Sequence, residues 1–382
     1  MVDAESEWVR NPNARIELLL SKGVIIVSPH QTWIAPEVIS DRIHSGAKLH
    51  PGTRIIGRST WLGSGVEIGT EGPATVSNSI FDERSVISSG YVHGAVVLRD
   101  AKLGGSAHVR AGTLIEEEVS TAHAVGLKQT ILLSYVTLGS LINYCDCLMA
   151  GGTSRENHSE VGSGYIHFNF TPWGRRGDKA TPSLVGDVTH GVFLRSNRIF
   201  LGGAGGMVGP SRVGFGSIAA AGQILRQDLP DNCLFLAPAP KKSHTIAPFQ
   251  RDRVEPRASK NIEYLAQLYA LREWYCQVRL KRIPVARQPT IESAIECINI
   301  CIQERIDQLG YFLNERGVPC PKFGLNEIPR CPLPVAGTSD HIEWVKSLSD
   351  DSVKEGVQWL RHIVDIVMAE ARSHFSKYKE AL

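Results

Sequence analysis

The sequence predicts an all-β parallel β-helix of hexapeptide repeats followed by an all-α C-terminal region. Three observations carry that prediction. Apolar residues recur every six positions between residues 50 and 225, which fits neither a strand period of two nor a helix period of 3.6. The 36 Gly and 20 Pro are concentrated before residue 250, marking a turn-rich first part. Beyond residue 253 glycine thins out and apolar residues recur at three- and four-residue steps.

Residues 1–50 read as a lead-in segment, in which NARIELLLSKGVIIV is a short amphipathic helix followed by a strand entering the first coil. The β-helix is expected over 51–250. Ile56-Gly57, Leu62-Gly63 and Ile68-Gly69 step by six, as do Ile80 to Val86, Val92 to Leu98, Leu103 to Val109 to Ile115, and Val119 to Val125 to Ile131. The rhythm returns at Leu201-Gly202, Met207, Val213-Gly214 and Ala219. Each hexad is then one short strand and one tight turn, with glycine serving turns that a β-carbon resists. Three hexads close a triangular coil, and coils must stack because none buries its own aliphatic residue alone. A β-sandwich with coincidental spacing does not account for so many in-register steps.

Between Cys145 and Val192 the rhythm is disturbed by a polar stretch rich in His, Asn, Arg and Lys, read as a loop extruded over about 146–191 and a place for binding residues. A helical region is expected over 253–382. Ile262, Leu265, Leu268, Leu271, Trp274 and Val278 form one apolar face, and Ile291, Ile295, Ile298, Ile302, Ile306, Leu309 and Leu313 another, on a helix from about Thr290 to Arg316. A last helix is expected from Ser352, with Glu355 at capping-box spacing, to about Lys377. These helices are expected to pack together or on the side of the coil and cap its C-terminal end.

With 41 Lys+Arg against 39 Asp+Glu, the charge does not point to nucleic acid or an anionic membrane as main partner. No stretch approaches a membrane span, and MVDAESEWVR has no apolar signal core, so a cytoplasmic protein is expected. The eight cysteines lack CxxC or zinc-finger spacing and read as reduced thiols, with no metal expected. GGAGGMVG at 202–209 is not a nucleotide loop, because its glycines fall in hexad register and no helix follows.

Several blocks within Ile16 to Asn232 carry a family resemblance: LLLSKGVIIVSP, VRAGTLIEEEV, GLKQTILLSYVTLG, YIHFNF and LGGAGGMVGPSRVGFGSIAAAGQI. They resemble the C-terminal acetyltransferase domain of the bifunctional bacterial glucosamine-1-phosphate acetyltransferase/N-acetylglucosamine-1-phosphate uridylyltransferase. The resemblance implies a left-handed β-helix, a homotrimer, and a cleft between subunits for acetyl-CoA and a sugar phosphate. It implies a phosphate grip by Arg110 and Lys128, a sugar contact by Asn169 with Phe170 where the family has Tyr, and a pantetheine channel beside Ala221 and Gly203. Arg175, Arg176 and Lys179 lie near a family lysine that contacts substrate. Nothing in the chain resembles the uridylyltransferase domain.

The family's catalytic His is replaced by Ser140, and a tyrosine three residues on by Asn143. Transfer of an acyl group to an amine needs a proton acceptor, which a lone serine does not supply. His167, His158 and His123 are the candidates, with His123 read as a surface or trimer-interface residue. His167 is preferred, because two residues before Asn169 in an extended segment both side chains share a side. The expected function is a CoA-dependent acyltransferase acting on an amino-sugar phosphate or sugar nucleotide. The alternatives are a catalytically inactive sugar-nucleotide-binding or scaffold relative and a partner subunit of a separate nucleotidyltransferase chain.

Overall fold

A computed structural model describes residues 8, 10–171, 178–236, 254–324, 328–338 and 340–375. Short parallel strands stack coil upon coil into a three-sided, left-handed parallel β-helix. The first face is an eleven-stranded ladder running from Ile25–Ile26 through Lys48–Leu49 and Val136–Leu138 to Leu234–Phe235. The second face runs from Trp33–Ile34 through Ala107–Val109 to Ile224–Leu225, and the third from Trp61–Leu62 through Ala95–Val97 to Arg212–Val213. The long strands Gly126–Leu132 and Asn143–Met149 bend across the corner between second and third faces. Inside, Ile55, Leu62, Ile68, Phe81, Ile87, Val92, Val97 and Leu103 begin the continuous aliphatic core.

The structure shifts several boundaries. The first coil starts at Ile25, which pairs with Lys48, so the lead-in is shorter than 50 residues; before it stands α1, Pro12–Ser21, capped by the Asn11 side chain. The inward residue is one position off the hexad reading at five places, earlier at Ile55 and at Val97, which replaces Leu98, and later at the other three. Ile55 precedes a half-buried Ile56, while Phe81, Ile87 and Leu132 are inward in place of Ile80, Val86 and Ile131. The expected loop over about 146–191 is not one extrusion. Ser159–Val161, Ile166–Phe168 and Ser183–Val185 give one strand to each face, and the excursions fall between them. Polar residues at outward positions hid the rhythm there, while Val161, Tyr165 and Val185 kept it inside.

The helices pack together on the side of the coil, as expected, and cover its third face rather than its end. Along that face every strand but the last, Arg212–Val213, carries two consecutive apolar residues, one inward and one outward: Trp61/Leu62, Ile80/Phe81, Val96/Val97, Leu114/Ile115, Ile131/Leu132, Leu148/Met149 and Leu184/Val185. A strand apolar on both sides is buried on both sides. The outward set packs into one cluster with α3 (Val254–Trp274), α4 (Gln288–Asn314), α5 (His341–Ser347) and α6 (Asp350–Phe375). Before them the short α2, Val188–Gly191, is capped by Asp187 and meets α3, with Val188 N–H donating to Gln267 Oε1 at 2.9 Å. Helix α5 had no expectation attached to it. Helix α6 starts before Ser352; the cap hydroxyl is Ser349, which accepts from Ser352 N–H at 3.2 Å.

Polar contacts pin the helices to the coil. Arg287 grips Asp82 through two bonds of 3.2 and 2.6 Å, and Arg305 pairs with Asp146 at 2.8 Å. At the centre Glu116 and Glu117 are buried side by side. Tyr275 donates to Glu116 at 2.7 Å, and Arg279 reaches both carboxylates. These two residues come from a π-helical turn, Tyr275–Arg279, that extends α3. Burial raises the pKa of Glu116. Burial also pushes Glu117 up, but the Arg279 charge and hydrogen bond outweigh it and hold Glu117 below the usual range.

Arg279→Leu leaves two buried carboxylates without their cation and is expected to cost about 3–5 kcal/mol, read as a lower melting temperature. An unchanged melting temperature would mean the cluster does not pin the helices. Gly356→Ala in α6 places a β-carbon 2.4 Å from Cζ of the buried Phe193 and is expected to cost about 1–3 kcal/mol by the same measurement.

Candidate functional site

The second face carries the two residues expected to grip phosphate. Val109 pairs with Leu127, so Arg110 and Lys128 follow in register on neighbouring strands, and Lys128 pairs in turn with Cys145. Neighbouring strands lie about 4.8 Å apart, so the two cations stand side by side, pointing outward because Val109, Leu127 and Tyr144 point in. Arg110 is exposed and Lys128 half-buried. Among the described residues neither forms an ion pair; Arg110 makes one long contact to Cys145 Sγ at 3.6 Å. Asp146 is engaged elsewhere, accepting from Arg305 and, at 2.6 Å, from Asn169 Nδ2. Two adjacent unneutralised cations suit a divalent anion, Arg as a planar fork and Lys as a point charge.

The corner between first and second faces carries the other expected residues. His123, Ser140, Ser163, Gly203 and Ala221 occupy equivalent turn positions in successive coils, each followed by a residue in the left-handed region: Ala124 at φ 57°, Leu141 at 59°, Gly164 at 75°, Ala204 at 51° and Gly222 at 73°. The strip is tied by Ser140 N–H to Ser163 Oγ at 3.1 Å and Ala204 N–H to Ser163 O at 2.7 Å. A β-carbon at Gly203 would lie 2.6 Å from Ser163 O, so only glycine fits there, whereas Ala221 is exposed. Ser140 Oγ is hydrogen-bonded to His123 Nδ1 at 3.0 Å. Asn143, exposed, opens the next strand of the second face.

The structure thus brings Arg110, Lys128, Asn143, Ser140, Gly203 and Ala221 to one face and its edge. It does not place the preferred histidine there. His167 points into the coil at 2% exposure, its Nδ1 bonded to Cys145 O at 2.5 Å and Nε2 to Ser183 Oγ at 2.9 Å. The alternation that was expected to align it with Asn169 instead sends it inward beside Tyr144, and burial pushes its pKa down to about 4. Asn169 lies past the strand end and gives its amide to Asp146; Phe170 is exposed. Arg175 and Arg176 lie outside the described residues, and Lys179 is exposed, its carbonyl accepting from Arg305. His158 sits on the opposite corner of the first face, bonded to Arg155 O at 2.6 Å and Glu160 at 3.2 Å.

That opposite corner borders a cleft of about 520 Å³ lined by Asn157, His158, Arg198, Phe200 and Asn232. A smaller cavity of about 150 Å³, lined by Asp82, Arg99, Glu117, Arg279 and Arg287, lies between coil and helices, where its charges already pair across that junction. Neither touches the Arg110–Lys128 face. Among the described residues no three His, Cys, Asp or Glu side chains converge on a metal position, and no helix is long and apolar enough to cross a membrane. The His123–Ser140 pair was missed by sequence reasoning. Its signal was the stacking offset, since residues about 17 apart here occupy the same corner.

No family model matches the chain. The bifunctional protein GlmU of Pelobacter propionicus is 30% identical over 226 residues, covering 59% of this chain and 43% of that protein. GlmU of Fervidobacterium nodosum is 30% identical over 224 residues, 59% of this chain and 44% of that protein. GlmU of an Exiguobacterium species is 26% identical over 221 residues, 58% and 43%. The chain spans less than half the length of the curated relatives it matches, and the likeness agrees with their C-terminal acetyltransferase domain. Among solved structures, LpxA from Acinetobacter baumannii aligns with 55% of this chain and 70% of that one, at 14% identity and a TM-score of 0.30.

The histidine core contact makes a pH prediction. Folded His167 titrates near 4 and an unfolded histidine near 6.5, so between those values the unfolded chain binds the extra proton. Stability is therefore full above about pH 6.5 and falls as pH drops towards 4, by on the order of 3 kcal/mol. Denaturant titrations at both pH values are expected to show a smaller acid loss in His167→Asn; an equal loss removes His167 as its source.

Proposed function

We propose that the chain is a CoA-dependent acyltransferase acting on an amino-sugar phosphate or sugar nucleotide, with acetyl-CoA as co-substrate. The observation that carries this reading is the pair Arg110–Lys128, adjacent in register and without a carboxylate partner among the described residues. An anionic substrate held there lies beside the Ser140–Gly203–Ala221 edge, whose small side chains leave space for a thioester arm. The similarity to GlmU proteins supports the substrate class. Catalysis is then mostly positioning of amine against thioester.

The active form proposed is a homotrimer with its clefts between subunits. The third face is taken by helices, leaving the first and second faces for other copies. On these, Phe200, Ile218 and Leu234, and Ile166, Phe168 and Ile224, are exposed apolar side chains, the kind of patch that marks an interface. The second reading is a non-catalytic sugar-nucleotide-binding relative or partner subunit of a nucleotidyltransferase. Ser140 in place of the family's histidine favours it.

Titration calorimetry with acetyl-CoA, glucosamine-1-phosphate and UDP-N-acetylglucosamine separates the two. Acetyl-CoA binding that tightens with the sugar phosphate supports the enzyme, and sugar-nucleotide binding alone supports the second reading. Arg110→Ala is expected to weaken sugar-phosphate binding by about 1.5–3 kcal/mol, the loss of a charge-assisted hydrogen bond. An unchanged dissociation constant removes the site. Light scattering at micromolar concentration is expected to give a trimer mass; a monomer has no inter-subunit cleft.

A further inference from the structure

We infer that His123 and Ser140 form a proton-accepting pair for the acyl transfer, with Ser140 meeting the substrate amine and His123 taking the proton behind it. The inference rests on the acyltransferase reading. Its own basis is the hydrogen bond of 3.0 Å between Ser140 Oγ and His123 Nδ1. His123 is exposed and Ser140 half-buried, so a ligand on this edge reaches the hydroxyl directly. Among the described residues the His123 ring hydrogen-bonds to the Ser140 side chain alone. The ring is therefore not consumed by a structural role, in contrast with His167, whose two nitrogens are both engaged inside the coil.

Position adds the second argument. Moving up the corner from His123, the equivalent residues are Ser140, Ser163, Gly203 and Ala221, so the side chains dwindle from an imidazole to almost nothing over successive coils of about 4.8 Å. A thin chain laid along that edge ends at the hydroxyl. From the other direction, Lys128 pairs with Cys145, two residues past Asn143 and so about 7 Å along the strand from where the edge begins. An anion gripped at Lys128 leaves a sugar-sized body spanning to Ser140. The edge thus holds a hydroxyl–imidazole pair between a place for the donor and a place for the acceptor.

The step balances without another reagent. The amine nitrogen bonds to the thioester carbonyl carbon and the carbon–sulfur bond breaks, releasing CoA thiolate. As the nitrogen loses its proton to Ser140 Oγ, the Ser140 proton passes to Nδ1 of His123. The imidazolium then returns a proton to the departing sulfur. Nδ1 accepts only when the neutral ring carries its proton on Nε2.

The test follows thiol release from acetyl-CoA with glucosamine-1-phosphate, beside acetyl-CoA binding by calorimetry. His123→Gln is expected to lower kcat about a hundredfold or more with KM little changed, and added imidazole to recover part of the rate; Ser140→Ala is expected to lower kcat as well. Full activity in His123→Gln overturns the pair and leaves the enzyme standing. Low activity in His123→Gln without imidazole rescue and with a raised KM also overturns it, since that pattern is structural. Wild-type protein that binds acetyl-CoA but releases no thiol overturns the pair while keeping the binding site. Failure to bind acetyl-CoA overturns the acyltransferase reading itself.

Discussion

A single coil of this protein cannot shield its own aliphatic residues, and everything else in the structure follows from how that exposure is removed. Inside, stacking removes it, each inward side chain resting on those of the coils before and after. Outside, the third face repeats the problem, because its outward positions are Trp61, Ile80, Val96, Leu114, Ile131, Leu148 and Leu184. Burying that row needs a second layer, and α3 to α6 are that layer. Apolar surface removed from water contributes about 25 cal/mol per Å², so the helices and the face stabilise each other by covering one another. The ion pairs instead fix where the helices sit. Glu116 and Glu117 sit in the turn at the edge of the covered face, midway along the coil, and a π-helical turn brings Tyr275 and Arg279 onto them.

Much of this fold was legible because hexad spacing is a strong and unusual period. Leu62, Ile68, Val92 and Val109 are inward as the spacing requires. The slips at Ile80 and Ile131 are informative: where two aliphatic residues are adjacent, the period alone does not say which is inside. Those doublets were themselves the signal for a covered face, since a strand apolar on both sides needs cover on both. The helical region's apolar stripes were read as packing surfaces against each other or the side of the coil, and the doublets say which side that is. The stretch 146–191 failed for a different reason. Its strands are three residues long and its inward residues include Tyr165 and His167, which do not look like an aliphatic column.

The candidate site divides along the same line. Arg110 and Lys128 were readable from local motifs, and their adjacency follows from one coil of register. His167 was misjudged because strand alternation was applied from Asn169, which lies past the end of the strand. Once Ile166–Phe168 is the strand, its neighbour Tyr144 shows which way His167 must face. The His123–Ser140 contact needed the coil length at that level, which varies along this chain and is fixed only by the strand pairing.

Charge links the helical layer to the second face. Asp146 directly follows Cys145, the strand partner of Lys128. Turned the other way, it would set a negative charge beside that cation. Its backbone turns there with φ 58°, carrying the side chain around the corner, where Arg305 of α4 and the Asn169 amide hold it. Arg305 also donates to Lys179 O at 3.0 Å, so the same guanidinium ties the segment after Phe168 to the helices. The helices therefore do more than cover an apolar face. By engaging Asp146 on their own side of the corner, they leave Arg110 and Lys128 without a carboxylate partner among the described residues.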